Sequence, residues 1–207
     1  MASLYDRFIL PRLLTCACSS SPIMRQRGKI VPQAAGRVLE LGIGMGLNLG
    51  FYDPVKVTGV TGVDPSAELR AAALAAPRDP RLAVDVRAGE AEALPFEAAS
   101  FDDVVCTFTL CSVHAPAVAL AEARRVLKPG GRLLFCEHGL APDAGVARWQ
   151  RRVEPVWKRI AGGCHLTRPI GSAIAACGFT LVRVDSMYVP KTPKIAAWNE
   201  WGVAVVA

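Results

Sequence analysis

Apolar residues along this chain fall into short runs, separated by breaks rich in glycine, proline or charge. Runs too short for a helix and bounded by breakers read as strands. They are Val38 to Leu41, Val57 to Val63 closing on Asp64, Val84 to Ala88, "FDDVVCTFTLCSV" from Phe101 to Val113, Arg132 to Glu137, "FTLVRVDSMYV" and "EWGVAVVA". The fourth is apolar almost without interruption, which predicts burial on both faces. Helical spacing marks Leu4 to Leu14, Ala67 to Ala75, Ala115 to Val126, Ala144 to Ile160 and Ile170 to Cys177, with stops at "LKPGGR" and Gly178. "RGKIVPQAAGR" reads as a lead-in to the first strand. Strands alternating with helices predict an α/β fold with a doubly wound, mostly parallel sheet of seven strands. Lys191 to Asn199 is too short for a crossover, so the last strand should return antiparallel. Sheets of this kind bind ligands beyond the carboxyl ends of their strands.

Composition changes this picture little. The chain has 207 residues, 52% hydrophobic and 20% charged, which suits a folded domain with a sizeable core. A net charge of +6 fits either an anionic surface or substrate, or an ordinary arginine-rich enzyme. The seven cysteines include no CxxC, and Cys16 and Cys18 make only a CxC. Cys106, Cys111 and Cys136 lie in apolar runs, where a thiol is usually a small core hydrophobe. No metal site is expected, and a reducing cytoplasm is the simplest setting. The stretch "MASLYDRFILPRLLTCACSSSP" is interrupted by Asp6, Arg7, Pro11 and Arg12, unlike a targeting signal, and no segment approaches the roughly 20 apolar residues of a membrane span. We expect residues 1–35 to form a helical lid segment, and residues 36–207 the main domain with a cap insertion near 140–170.

The chemistry concentrates in "VLELGIGMGLNLGFY". A strand followed by a glycine-rich turn lets backbone approach a ligand closely. Gly42 and Gly44 fit the first two places of a dinucleotide fingerprint, but the third falls on Leu47; the pattern is E-x-G-x-G-x-G from Glu40 to Gly46. Asp64, ending the next strand, can accept hydrogen bonds from ribose hydroxyls.

The glycine triplet, Asp64, the "GEAEALPF" loop and the "LKPGG" turn, in that order, resemble the class I S-adenosylmethionine-dependent methyltransferases of the type-11 group. The resemblance covers about Val38 to Glu137 and implies a Rossmann-like fold. It implies that Gly42, Gly44 and Gly46 meet the methionine end of S-adenosylmethionine, with Glu40 supplying negative potential near its ammonium group. Asp64 would carry the ribose, Glu90 and Ala91 the adenine, and Cys106 and Thr107 would lie near the methionine moiety. Glu90 stands where Asp is commoner in that family, and a solvated acidic loop is the alternative for Glu90 and Glu92.

For the acceptor, no NPPY-type motif follows strand four, and no interleaving of basic and aromatic residues suggests nucleic acid. "VVCTFTLCSV", "RRVLKPGG", "EHG", "WQRRVEPVWK" and "GGCHLTR" are similar to pieces of the thiol S-methyltransferases of the methyltransferase-like group. That likeness implies a small, lipophilic thiol acceptor. A phospholipid amine, a quinone carbon, or a cofactor-binding regulator without turnover are the alternatives. His138 and His165 are the candidates for orienting the acceptor or taking its proton; Cys111 and Cys164 are alternatives for binding a soft substrate, but they and His114 read more readily as core or surface residues. The helix from Val146 to Ile160 gathers Val146, Trp149, Val153, Val156, Trp157 and Ile160 on one side, either to pack on the domain or to meet a lipophilic substrate or a membrane surface.

Overall fold

The computed structural model describes residues 18–206. The predicted helix from Leu4 to Leu14 lies outside them. Seven strands form one sheet: β1 (Gly36–Leu41), β2 (Val57–Asp64), β3 (Val84–Ala88), β4 (Phe101–Thr107), β5 (Leu127–His138), β6 (Phe179–Tyr188) and β7 (Trp198–Val206). Their order is β3-β2-β1-β4-β5-β7-β6. The first five run parallel, and β7 lies antiparallel between β5 and β6. This is the mostly parallel, doubly wound sheet expected, with the last strand reversed.

Helices cover both faces. Leu39, Leu41, Val104, Cys106, Leu133 and Phe135 pack with Leu120 and Ala123 of α3 (Pro116–Val126) and with Ile170 and Ile174 of α5 (Ile170–Ala176). On the other face Val38, Val105, Leu134 and Cys136 meet Ile30 of α1 (Ser21–Ile30), Val31, and Ala73 of α2 (Ala67–Ala75). Successive strand side chains point to opposite faces, so β1, β4 and β5 feed both layers.

Three boundaries differ from the periodicity. β4 stops at Thr107 rather than Val113, because Phe108 turns into the left-handed region (φ 53°) and the backbone leaves the ladder. β5 begins at Leu127 rather than Arg132: its "LKPGG" stretch bends, with Gly130 at φ 72°, and the register against β4 shifts there. Finally, the lead-in before β1 contains α1, which places Pro22 in its first turn, where a missing N–H costs nothing. Ile30, Val31 and Ala34 are core residues, so within 1–35 the part from α1 onward belongs to the packed domain.

The cap consists of α4 (Ala144–Ile160) and the loop to α5. The buried residues of α4 are Ala147 and Gln150, whereas Trp149, Val156 and Ile160 stay exposed. The apolar side is thus only partly packed. A polar residue anchors the helix instead. Gln150 is fully buried; its Oε1 accepts from the Ala141 amide (2.9 Å) and its Nε2 donates to the carbonyls of Gly139 (3.1 Å) and Ile195 (3.0 Å). The amide thereby ties α4 to the end of β5 and to the one-turn helix α6 (Lys194–Ala197). Among the described residues no helix is long and apolar enough to cross a membrane.

An unsatisfied buried polar group costs about 1–3 kcal/mol. Gln150→Leu strands three such groups, so chemical denaturation should show a loss of at least about 2 kcal/mol. A loss below about 0.5 kcal/mol would show that the cap is held by something else.

Candidate active site

The site lies at the carboxyl ends of β1, β2, β4 and β5, where the order of connection reverses between β1 and β4. Gly42, Gly44 and Gly46 follow β1, all with positive φ (62°, 54° and 76°). They are bare for different reasons. A Cβ on Gly42 would strike the Thr109 side chain at 2.6 Å, and one on Gly46 would strike Ala76 at 2.8 Å. At Gly44 the nearest atom is 3.8 Å away, so its face is open rather than packed. The loop closes through the Ile43 amide on the Val63 carbonyl and the Gly46 amide on the Ile43 carbonyl.

Asp64 ends β2 beside that loop and is nearly buried. Its Oδ2 accepts from the Gly44 amide (3.0 Å) and its Oδ1 from the Ser66 amide (2.9 Å). A carboxylate has about four acceptor sites, so two remain. On the acidic loop Glu90 is exposed and Ala91 buried, while Glu92 accepts from the Ala115 amide at the start of α3.

Glu40 faces inward. Its oxygens accept from Asn48 Nδ2 (2.9 Å) and the Tyr52 hydroxyl (2.7 Å). Burial pushes its carboxyl up to about 7, against the pull of Tyr52, Arg27 and Asn48. Arg27 comes from α1: Nη1 reaches Asn48 Oδ1 (3.0 Å) and Thr107 Oγ1 (2.6 Å), and the guanidinium lies 5.0 Å from the Phe108 ring. Thr107 therefore spends its hydroxyl on Arg27 and Asn48, and Cys106 turns its thiol to Glu137 (3.5 Å). Neither side chain is free, Cys106 is fully buried, and the Thr107 carbonyl accepts from the Thr109 hydroxyl (3.2 Å).

The other half of the site rests on Glu137, fully buried at the end of β5. It accepts from the amides of Thr109 (2.7 Å), Leu110 (3.0 Å) and Cys111 (3.3 Å), which have left the β4 ladder. Burial raises its pKa against the lowering effect of those amides. His138 is next. Its Nε2 lies 2.8 Å from Cys164 Sγ, while Nδ1 is buried with no partner among the described residues. Cys111 Sγ completes a group in which the three ligand-type atoms all lie within 4.8 Å of one another. The neighbouring Cys111 thiol and burial raise the Cys164 thiol far above the ordinary value, and Trp157 Nε1 donates to it (3.4 Å).

His165 belongs to the cap. Its Nδ1 is 3.2 Å from Glu154 Oε1, and its amide donates to the Cys111 carbonyl (2.8 Å). Burial and Arg168 pull its pKa down despite Glu154. Glu154 Oε2 also holds the Leu166 and Thr167 amides. Arg168 donates to the carbonyls of Leu110 and Val113 (the latter at 2.8 Å), binding the cap to the loop after β4. His114 is exposed.

Sequence reasoning missed Arg27, Asn48, Tyr52 and Glu137, and did not bring Cys111 to Cys164. "EHG" and "GFY" held two of them in view; for Arg27, many residues before the loop it serves, the sequence carries no visible mark.

A family model described as "Methyltransferase domain" matches residues 39–135. The chain is 40% identical over 152 residues to thiol S-methyltransferase TMT1B of Rattus norvegicus, covering 72% of this chain and 62% of that protein. It is 31% identical over 179 residues to human thiol S-methyltransferase TMT1A, covering 84% of this chain and 72% of the relative. The S-adenosylmethionine-dependent methyltransferase of Mesorhizobium loti superposes with a TM-score of 0.68 at 21% identity, over 90% of this chain and 98% of that one, a likeness of fold.

Glu40 makes the site's stability pH-dependent. Its folded pKa of about 7 lies above the ordinary 4.5. Between those values the folded chain keeps a proton that the unfolded chain releases, so stability falls as pH rises, by on the order of 3 kcal/mol in all. Denaturation curves at about pH 4.5 and about pH 7.5 should show that loss, and Glu40→Gln should remove most of it. Equal pH dependence in both proteins would contradict the raised pKa.

Proposed function

The chain belongs to the methyltransferase-domain family of these thiol S-methyltransferases, and from that premise we propose that it transfers the methyl group of S-adenosylmethionine to a small thiol. The observation that carries the reading is the pairing of Gly44, whose bare face is open, with Asp64, which already holds the Gly44 amide and keeps lone pairs to spare. Ribose hydroxyls suit those lone pairs, and a methionine end suits an uncluttered backbone. Glu90 and Ala91 are assigned to the adenine, and Cys106 and Thr107 to the end of β4 near the methionine moiety. Glu40 then acts chiefly by fixing Asn48 and Tyr52 behind the loop, its charge offset by Arg27 and by its raised pKa.

In the reaction the acceptor sulfur attacks the methyl carbon as the bond from that carbon to the sulfonium breaks. The bonding pair stays on the departing sulfur, leaving S-adenosylhomocysteine and a methyl thioether. The thiol proton goes to a base or to water. Such a displacement needs the nucleophile about 3 Å from the methyl and in line with the leaving group, so positioning supplies much of the rate. His138 and His165 are assigned to the acceptor. His165, tied by Nδ1 to Glu154, has Nε2 left to orient the acceptor or take its proton. The relatives' names support a thiol. A lipophilic acceptor, or a peripheral membrane contact, is supported by the exposed Trp149, Val156 and Ile160 beside Arg148, Arg152 and Arg159.

Two outcomes follow. Asp64→Ala should weaken S-adenosylmethionine binding in calorimetry by about 1.5–3 kcal/mol, the range for a charge-assisted hydrogen bond; unchanged affinity in the folded variant would remove Asp64 from the site. With labelled S-adenosylmethionine and a panel of thiols, amines and phenols, thiols should be methylated, and His165→Ala should lower that turnover about 10²-fold while binding persists. Turnover of amines or phenols alone would overturn the thiol reading, and binding without any turnover would leave a regulator.

A further inference from the structure

Cys111, His138 and Cys164 are far apart in sequence, and each is delivered by a different device. Glu137 captures the Cys111 amide and rolls the loop after β4 inward. His138 is the last residue of β5. Cys164 follows the glycine pair that ends α4: Gly162 and Gly163 both have positive φ, and Trp157 Nε1 points at the Cys164 sulfur. The Cys111 carbonyl also receives the His165 amide, which locks the two sulfur-bearing loops together. Both sulfurs are buried and the imidazole half-buried.

We propose that Cys111, His138 and Cys164 form a binding site for one zinc-like soft divalent cation, with a fourth coordination position left for the sulfur of the acceptor thiol. The donor set is two thiolates and one imidazole, a combination used where zinc keeps an open position. Tetrahedral bonds of about 2.3 Å to sulfur and about 2.0 Å to nitrogen place ligand atoms roughly 3.5–3.8 Å apart. His138 Nε2 and Cys164 Sγ are closer than that at 2.8 Å, and all three atoms lie within 4.8 Å of one another. Shifts of about an ångström, within rotamer adjustment, would seat an ion. Charge also balances. Two thiolates neutralise a divalent cation, and Arg168, close enough to feel the charge of Glu137, is spent on the Leu110 and Val113 carbonyls. The imidazole presents Nε2, not Nδ1, to the two sulfurs, so Nε2 is its ligand atom.

The inference rests on the thiol reading above for the fourth ligand, but not for the site itself. A thiol that coordinates zinc gives up its proton to water and is held as thiolate, so the ion would position and activate the nucleophile together.

The test uses the full-length protein, stripped with a chelator. Zinc is titrated against a chromophoric competitor, and cobalt(II) is followed by its thiolate charge-transfer absorption. One equivalent should bind, with that absorption present. Cys111→Ser and Cys164→Ser should each weaken binding at least about 100-fold, since even an outer-shell change costs about 10–100-fold, while Cys177→Ser, outside the cluster, should not. Far less than one equivalent in the unmodified protein, or binding indifferent to both serine variants, would overturn the site. Adding an alkyl thiol should shift the cobalt spectrum; an unchanged spectrum with one equivalent bound would refute the open position. Thiol methylation that is equally fast with and without zinc would overturn the ion's part in the reaction and leave the thiol reading intact. Stoichiometric zinc with methylation of amines only would overturn the thiol reading and the thiol as fourth ligand, and leave the cation site itself intact.

Discussion

Glu137 is the residue on which the site turns. β4 leaves its ladder at Phe108, and the next amides have no strand to donate to. Buried amides without acceptors cost about as much as a lost hydrogen bond each. One carboxylate at the end of β5 takes the amides of Thr109, Leu110 and Cys111. That capture sets Thr109 against the glycine loop, where its hydroxyl donates to the Leu41 carbonyl and fills the space that Gly42 leaves empty. It also sets Cys111 opposite His138 and Cys164. A single buried carboxylate thus couples the half of the crevice assigned to the methyl donor to the half assigned to the acceptor.

A second carboxylate, Glu40, does comparable work on the other face. Asn48, Tyr52 and Thr107 gather around it and around Arg27, which arrives from α1. The arrangement is a buried polar network in which the shared partners support one another, with Arg27 Nε left as its one unpartnered donor among the described residues. This explains why α1 belongs to the domain rather than to a lid: it brings the network's cation as well as Ile30 to the core. The cap follows the same logic, pinned by Gln150, Glu154 and Arg168 rather than by its apolar side.

The sheet was legible because strand burial writes itself as uninterrupted apolar runs, as in "VVCTF", and because glycines and Asp64 stand at strand ends in a fixed order. The residues assigned to the methyl donor were legible where their pattern is local, at Gly42 to Gly46 and Asp64. It was not legible where side chains act over distance. The same apolar run that marks β4 gives no sign of its end at Thr107, since what stops it is the Glu137 carboxylate from another strand. Cys111 and Cys164 read as core thiols, because each is apolar in its own neighbourhood and only the fold brings them to one imidazole. α1 was hidden because its buried side is itself polar: Gln26 and Arg27 sit there with Ile30, so the helical period is diluted although Ser20 and Pro22 mark its start.

On this reading one crevice holds the methyl donor against β1 and β2 and presents it to an acceptor beside β5. The most direct measurement is a crystal structure with S-adenosylhomocysteine bound. The ribose hydroxyls should lie on Asp64, the amino-acid end along Gly42 to Gly46, and the sulfur should be directed toward His138 and Cys164. Ligand bound away from Asp64, or its sulfur turned from β5, would contradict it.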